Sequence, residues 1–248
     1  MTLQNKRALQ VLTVGFGVLL LQACDSDNDT FIANPSPPPP PPAMASFDVT
    51  VANLTGAQPL SPVAVIAHRA GYEVFAVGEP ASVGLEELAE GGDNTSLLAE
   101  ADGDAAVLAT ASGTGAIGPA GTETVSVEVL ESDLPDLLMS VSTMLVNTND
   151  AISGINGTAI GTMAVGDVVS LRTIAYDAGT ELNTEMGTEI PGPAGGGEGF
   201  NAARNDRADR VSMHSGVVSQ DDGYATSSLS EQHRFDNPVT QIRIERID

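Results

Sequence analysis

The carboxylates whose placement most favours a chemical role lie at the ends of apolar segments. Asp177 and Glu181 stand four residues apart around Gly179, directly after an apolar run at 168–174. A third acid, Asp150, ends another apolar run. Acidic side chains at strand ends, beside turn residues, can supply the oxygen ligands that a hard cation such as Ca²⁺ requires. Acids in turns also cap backbone N–H groups or bind water, so the spacing alone leaves both interpretations open.

The other groups with catalytic potential lack a supporting motif. His68, His214 and His233 form no short metal-ligand spacing of the His-x-x-x-His kind. His68 follows an apolar run and His214 falls inside a predicted strand, so we interpret both as satisfied or edge histidines, with a joint zinc site as the alternative. The chain has no Gly-x-Ser-x-Gly elbow, and it has no Trp to form a sugar platform. We therefore expect no enzyme.

The charge of the chain restricts its partners. The 248 residues include 33 Asp and Glu against 10 Lys and Arg, which gives a formal net charge of −23. A chain this acidic repels phosphate backbones, so we expect no nucleic-acid binding. With no Trp and few other aromatic residues, the core must consist mainly of aliphatic side chains, which favours strands where Val and Thr dominate.

The N-terminal residues are typical of an export signal. Lys6 and Arg7 precede a mostly apolar stretch at 8–21, which is too short for a membrane span. The chain's one cysteine, Cys24, follows Ala23 and cannot form an intrachain disulfide. This segment resembles a bacterial lipobox, which implies removal of residues 1–23 and lipidation of Cys24. The alternative is an ordinary cleaved signal with an incidental cysteine.

Residues 24–45 are predicted to be an acidic and Pro-rich tether. The segment Pro35–Pro42, interrupted only by Ser36, should form an extended spacer of about 25 Å. We expect the protein to be attached to a membrane of the bacterial cell envelope through its N-terminal lipid. The sequence does not distinguish the outer membrane, the cell surface and the periplasmic face of the inner membrane.

Residues 46–248 are predicted to be one β-rich domain. Ser82 can cap a helix that ends at Gly91-Gly92, and a second helical turn is expected at 96–101. About eight short apolar or alternating segments with one or two helical inserts favour an all-β antiparallel sandwich. The predicted strands are Phe47 to Val51, 63–67, 74–77, Val125 to Val129, 137–146, 168–175, 211–218 and 239–247.

The domain resembles the spondin N-terminal domain, which is known from matrix spondins and from bacterial secreted proteins. Four stretches carry the likeness: Phe47 to Val63, Met144 to Ile155, the motif Asp177-Ala178-Gly179-Thr180-Glu181, and the terminal strand Thr240 to Ile247. The resemblance implies a C2-like β-sandwich and a Ca²⁺ site formed by Asp150, Asp177 and Glu181. It implies no catalytic residues.

Two classes of function follow from this resemblance. The first is a lipid-anchored, calcium-dependent module for adhesion or for binding a protein or polysaccharide at the cell surface. The second is an envelope protein in which calcium is purely structural. A hydrolase is a third, less favoured alternative.

Overall fold

The computed structural model describes residues 38–202 and 208–248, and β-strands dominate this part of the chain. The strands are β1 (Met44–Asn53), β2 (Ala64–His68), β3 (Val107–Ser112), β4 (Thr122–Leu130), β5 (Leu138–Met144), β6 (Ala151–Ala159), β7 (Val168–Thr173), β8 (Ala175–Asp177), β9 (Ser212–Met213) and β10 (Thr240–Arg246). One sheet has the order β4-β1-β10-β7 and the other β3-β2-β5-β6-β8-β9. Every pairing is antiparallel. The predicted all-β sandwich is confirmed, with ten strands where about eight were expected.

The main core lies between the two sheets. Along β1 the inward positions Phe47, Val49 and Val51 are fully buried, while the residues between them are partly exposed. They pack in one apolar cluster with Val65 of β2 and Val141 of β5. Burying each such side chain contributes about 1.5–3 kcal/mol, so the two-residue alternation in the sequence decides which face of β1 is inside.

Two helices cover the outer face of the six-stranded sheet. They are α1 (Val83–Gly91) and α2 (Thr95–Asp102). As predicted, Ser82 begins α1 by accepting the Leu85 N–H at 3.1 Å, and Gly92 ends it with φ of 71°. Apolar residues of both helices pack on Ile66 of β2. The strand is therefore buried on both faces, which explains why its residues 64–67 are all apolar.

Three predicted strands differ from the structure: 74–77 forms no strand, 211–218 is mostly irregular, and 168–175 is divided between β7 and β8, which belong to different sheets. Residues 74–77 are buried in part but irregular, and the Asn156 side chain binds their backbone: its Oδ1 accepts the Val74 N–H at 2.9 Å, and its Nδ2 donates to the Phe75 carbonyl. Within 211–218 only Ser212–Met213 pairs as a strand. Among the described residues, no helix is long and apolar enough to cross a membrane.

Candidate metal centre

The candidate site lies at one end of the six-stranded sheet, where three neighbouring strands meet. Asp150 immediately precedes β6, and Asp177 ends β8. The register of these strands places Ala151 opposite Asp177, so the two aspartates become neighbours across the sheet. The next strand, β9, pairs with β8 and is followed by His214, whose N–H donates to the Ala175 carbonyl at 3.1 Å.

These three side chains form a group of suitable size for one cation. Each offers a ligand atom that lies within 4.8 Å of the other two. Asp150 is fully buried and His214 is 5% exposed, whereas Asp177 is only partly buried. The group therefore has a closed inner side and an outer side that solvent reaches through Asp177.

The loop after β8 wraps around Asp150 with its backbone. The N–H groups of Thr180 and Glu181 both donate to Asp150 Oδ2, at 2.9 and 3.1 Å. Gly179 allows this turn, because its φ is 74° and a Cβ there would lie 2.2 Å from the Arg210 carbonyl oxygen. The Asp-Ala-Gly-Thr-Glu segment thus holds one carboxylate oxygen and leaves the other available.

Three polar side-chain atoms in this part of the structure have no hydrogen-bond partner among the described residues. They are Asp150 Oδ1, Thr180 Oγ1 and His214 Nε2, and all three are buried. Buried polar atoms are normally paired, so a cluster of unpaired ones calls for a specific explanation. A bound cation with its water would satisfy the two oxygens.

The electrostatics of these three side chains by themselves are unfavourable. Burial, and after it the charge of Asp177, raise the pKa of Asp150 to about 7 against the two backbone N–H donors. Burial also lowers the pKa of His214, with Asp177 opposing that shift. Within the described residues neither aspartate has an ion pair with Lys or Arg. A divalent cation would supply the missing positive charge.

The structure brings two of the three predicted ligands together. Asp150 and Asp177 come together, but the group contains His214 and not the carboxylate of Glu181. Glu181 is 5% exposed and meets Asp150 through its backbone N–H. Its role as a carboxylate ligand stays a prediction. His214 was interpreted from the sequence as a satisfied or edge histidine, with a zinc site shared with His68 as the alternative; the structure places it instead beside Asp150 and Asp177, with Nε2 unpartnered among the described residues. Its approach depends on the two-residue pairing of β9 with β8, for which the sequence has no local signal.

His68 is not part of this group. His68 is fully buried and satisfied, with Nδ1 and Nε2 each 2.8 Å from a partner, the Arg69 carbonyl and Ser140 Oγ. This agrees with its interpretation as a satisfied histidine. Cys24 and the predicted signal lie outside the described residues, as does most of the predicted tether.

The fold and the site together define an antiparallel β-sandwich with a buried acidic cluster that could hold a metal ion at the end of one sheet. The family model Spondin_N matches residues 55–189, which is more than half of the chain. The chain therefore belongs to the spondin N-terminal domain family, and this membership indicates an extracellular module. Asp150, Asp177 and Glu181 fall inside the matched region, and His214 falls outside it. No curated protein matches the chain.

Proposed function

We propose that this protein is an extracytoplasmic calcium-binding module that is anchored to the cell envelope by a lipid on Cys24 and binds a partner at the cell surface. The observation that carries the calcium site is the fully buried Asp150, whose Oδ1 has no partner beside a second carboxylate, Asp177. Residues 1–23 would be the signal and residues 24–45 the tether. The ligand would be a protein or a polysaccharide, and not nucleic acid.

The donor chemistry supports calcium. Ca²⁺ takes six to eight oxygen ligands in a flexible geometry and retains water readily. The site offers carboxylate oxygens from Asp150 and Asp177, the hydroxyl of Thr180, and an open side for water at Asp177. The carboxylate of Glu181 is one methylene longer than an aspartate and remains a candidate ligand from the same loop.

The position of the site supports a role in recognition. The cation would fix the segment that follows β8 against the start of β6, and both belong to the loops at one end of the sandwich. Loops held on a rigid scaffold are where partner binding usually occurs. The alternative is a purely structural calcium. Only the recognition role predicts that chelation abolishes partner binding while the sandwich remains folded.

Thermal unfolding of the full chain with calcium and with chelator tests the site. Calcium should raise the melting temperature of the wild type, because a ligand that binds only the folded state stabilises it by mass action. Asp177→Asn should lose this rise. Asp136→Asn is the matched control, since Asp136 is exposed and makes no contact with the site. No shift in the wild type at millimolar calcium would refute the proposal.

A further inference from the structure

The hydrogen-bond partner of His214 Nδ1 determines what this residue can offer a cation. The backbone N–H of Gly216 donates to Nδ1 at 3.0 Å. A backbone N–H is always a donor, so Nδ1 must use its lone pair to accept it. In the neutral ring only one nitrogen carries hydrogen, and that nitrogen is then Nε2.

This tautomer leaves His214 without a free lone pair. The lone pair of Nδ1 is engaged by Gly216, and that of Nε2 is replaced by an N–H bond. A histidine that binds a metal through one nitrogen normally donates the hydrogen of the other to a carbonyl, a carboxylate or water. Here the second nitrogen meets a donor instead, which is the opposite of that arrangement.

The Nε2–H of His214 therefore needs an acceptor. Nε2 is buried and has no partner among the described residues, and the imidazole lies beside the two carboxylates. A carboxylate or a water molecule bound to a cation would accept this hydrogen.

We propose that His214 serves the site as a hydrogen-bond donor through Nε2 and not as a ligand, so that the site takes a hard, oxygen-coordinated cation and discriminates against zinc. The inference rests on the proposed cation site. It makes His214 a specificity-determining residue: zinc gains no nitrogen ligand there, while calcium gains a donor that fixes its oxygen ligands.

Nitrogen NMR of the full chain, with ¹⁵N-labelled histidine, tests this directly. The chain supplies its own references. His233 Nδ1 accepts the Ser230 N–H at 3.0 Å, which predicts hydrogen on Nε2, whereas His68 Nδ1 faces the Arg69 carbonyl and must carry hydrogen itself. With chelator above neutral pH, His214 should match His233. It should keep its Nε2 hydrogen when calcium or zinc is added.

Calcium titrations of two variants add a functional measurement. His214→Gln retains an amide N–H of similar reach and should keep most of the calcium affinity. His214→Leu removes the donor and should weaken calcium binding about tenfold or more, as expected for a lost hydrogen bond to a charged group. Thermal unfolding in chelator shows whether each variant is folded.

The outcomes separate the inference from the proposed function. If calcium binds and Nε2 loses its hydrogen, or if His214 carries hydrogen on Nδ1, the donor role is refuted and the calcium site survives. A zinc affinity that falls tenfold in His214→Gln while the calcium affinity is unchanged would also refute it. If the wild type binds no calcium, the cation site is refuted and the inference falls with it.

Discussion

The substitution Asp150→Asn should stabilise the protein without calcium and prevent its further stabilisation by calcium. Both backbone donors of Asp150, from Thr180 and Glu181, go to the one oxygen Oδ2. An asparagine amide oxygen can accept both, so the variant keeps the local hydrogen bonds. It removes a negative charge that is fully buried beside Asp177.

The magnitude follows from the pKa of Asp150, which burial and then Asp177 raise from 3.8 to about 7. This difference of about three units, at 1.36 kcal/mol per unit, corresponds to a cost of about 4 kcal/mol for the ionised folded state. The folded-state pKa is the higher one, so the folded state is free of this cost below about pH 4, where Asp150 is protonated in both states. The stability of the wild type falls as the pH rises from there through about 7, where Asp150 ionises in the folded state. The advantage of Asp150→Asn over the wild type should grow across the same interval and level off above it.

Chemical denaturation at several pH values between 4 and 8, with chelator, measures this difference. Asp136→Asn should show no pH-dependent gain over the wild type. Calcium at 100 times its Kd should stabilise the wild type by about 2.7 kcal/mol and the Asn variant by much less. The advantage of the variant should therefore shrink or reverse. An Asn variant that is less stable than the wild type in chelator at pH 8 would refute the reasoning.

Three further predictions concern other residues. Burial raises the pKa of Glu185 to about 7, against the Val218 N–H that its carboxylate accepts, so stability should fall as the pH rises from 4.5 to 7. Glu185→Gln, which keeps that acceptor, should flatten the pH profile in denaturant melts, and an unchanged profile would contradict the assignment. Gly179→Ala should lower the free energy of unfolding by about 2 kcal/mol or more and abolish the calcium-dependent rise in melting temperature, because a Cβ there meets the Arg210 carbonyl at 2.2 Å. A variant with wild-type stability and a wild-type response to calcium would show that the turn tolerates a side chain. Cys24→Ser should move the protein from the membrane to the soluble fraction of the exporting cell, and continued membrane attachment would contradict lipid anchoring.

The part of the site that could be predicted from the sequence is the part determined by local patterns. Asp150 and Asp177 follow apolar strand segments, and Gly179 indicates the turn between Asp177 and Glu181. The spacing did not determine whether the carboxylate or the backbone of Glu181 contacts Asp150. In the structure its backbone N–H donates to Asp150 Oδ2. The contribution of His214 depends on the pairing of β9 with β8, which only the folded chain determines.

The fold shows the same division between local and distant determinants. β1 alternates in hydrophobicity along its length and was predicted for that reason. β6 was missed because Gly154 and Asn156 weaken its β pattern. Gly154 is nevertheless required, since a Cβ would lie 1.9 Å from the Val141 carbonyl oxygen where the pairing with β5 shifts register. Glycine is needed here because the backbone of β5 lies so close, and the residues next to Gly154 in the sequence do not indicate this close contact.

The arrangement around Asp150 links the stability of the fold to its proposed function. Two backbone donors hold Oδ2 in place, which orients Oδ1 without neutralising the charge of the carboxylate. In the absence of a cation, that charge lies buried beside Asp177 and disfavours the folded state at neutral pH. When a divalent cation binds, the same two negative charges become its ligands and stabilise the folded state. Asp177 itself caps the turn, since its Oδ1 accepts the Gly179 N–H at 2.9 Å and its Oδ2 accepts the Asn183 amide at 2.7 Å. Capping does not explain the buried, unpartnered Oδ1 of Asp150, and this oxygen is the feature that favours cation binding.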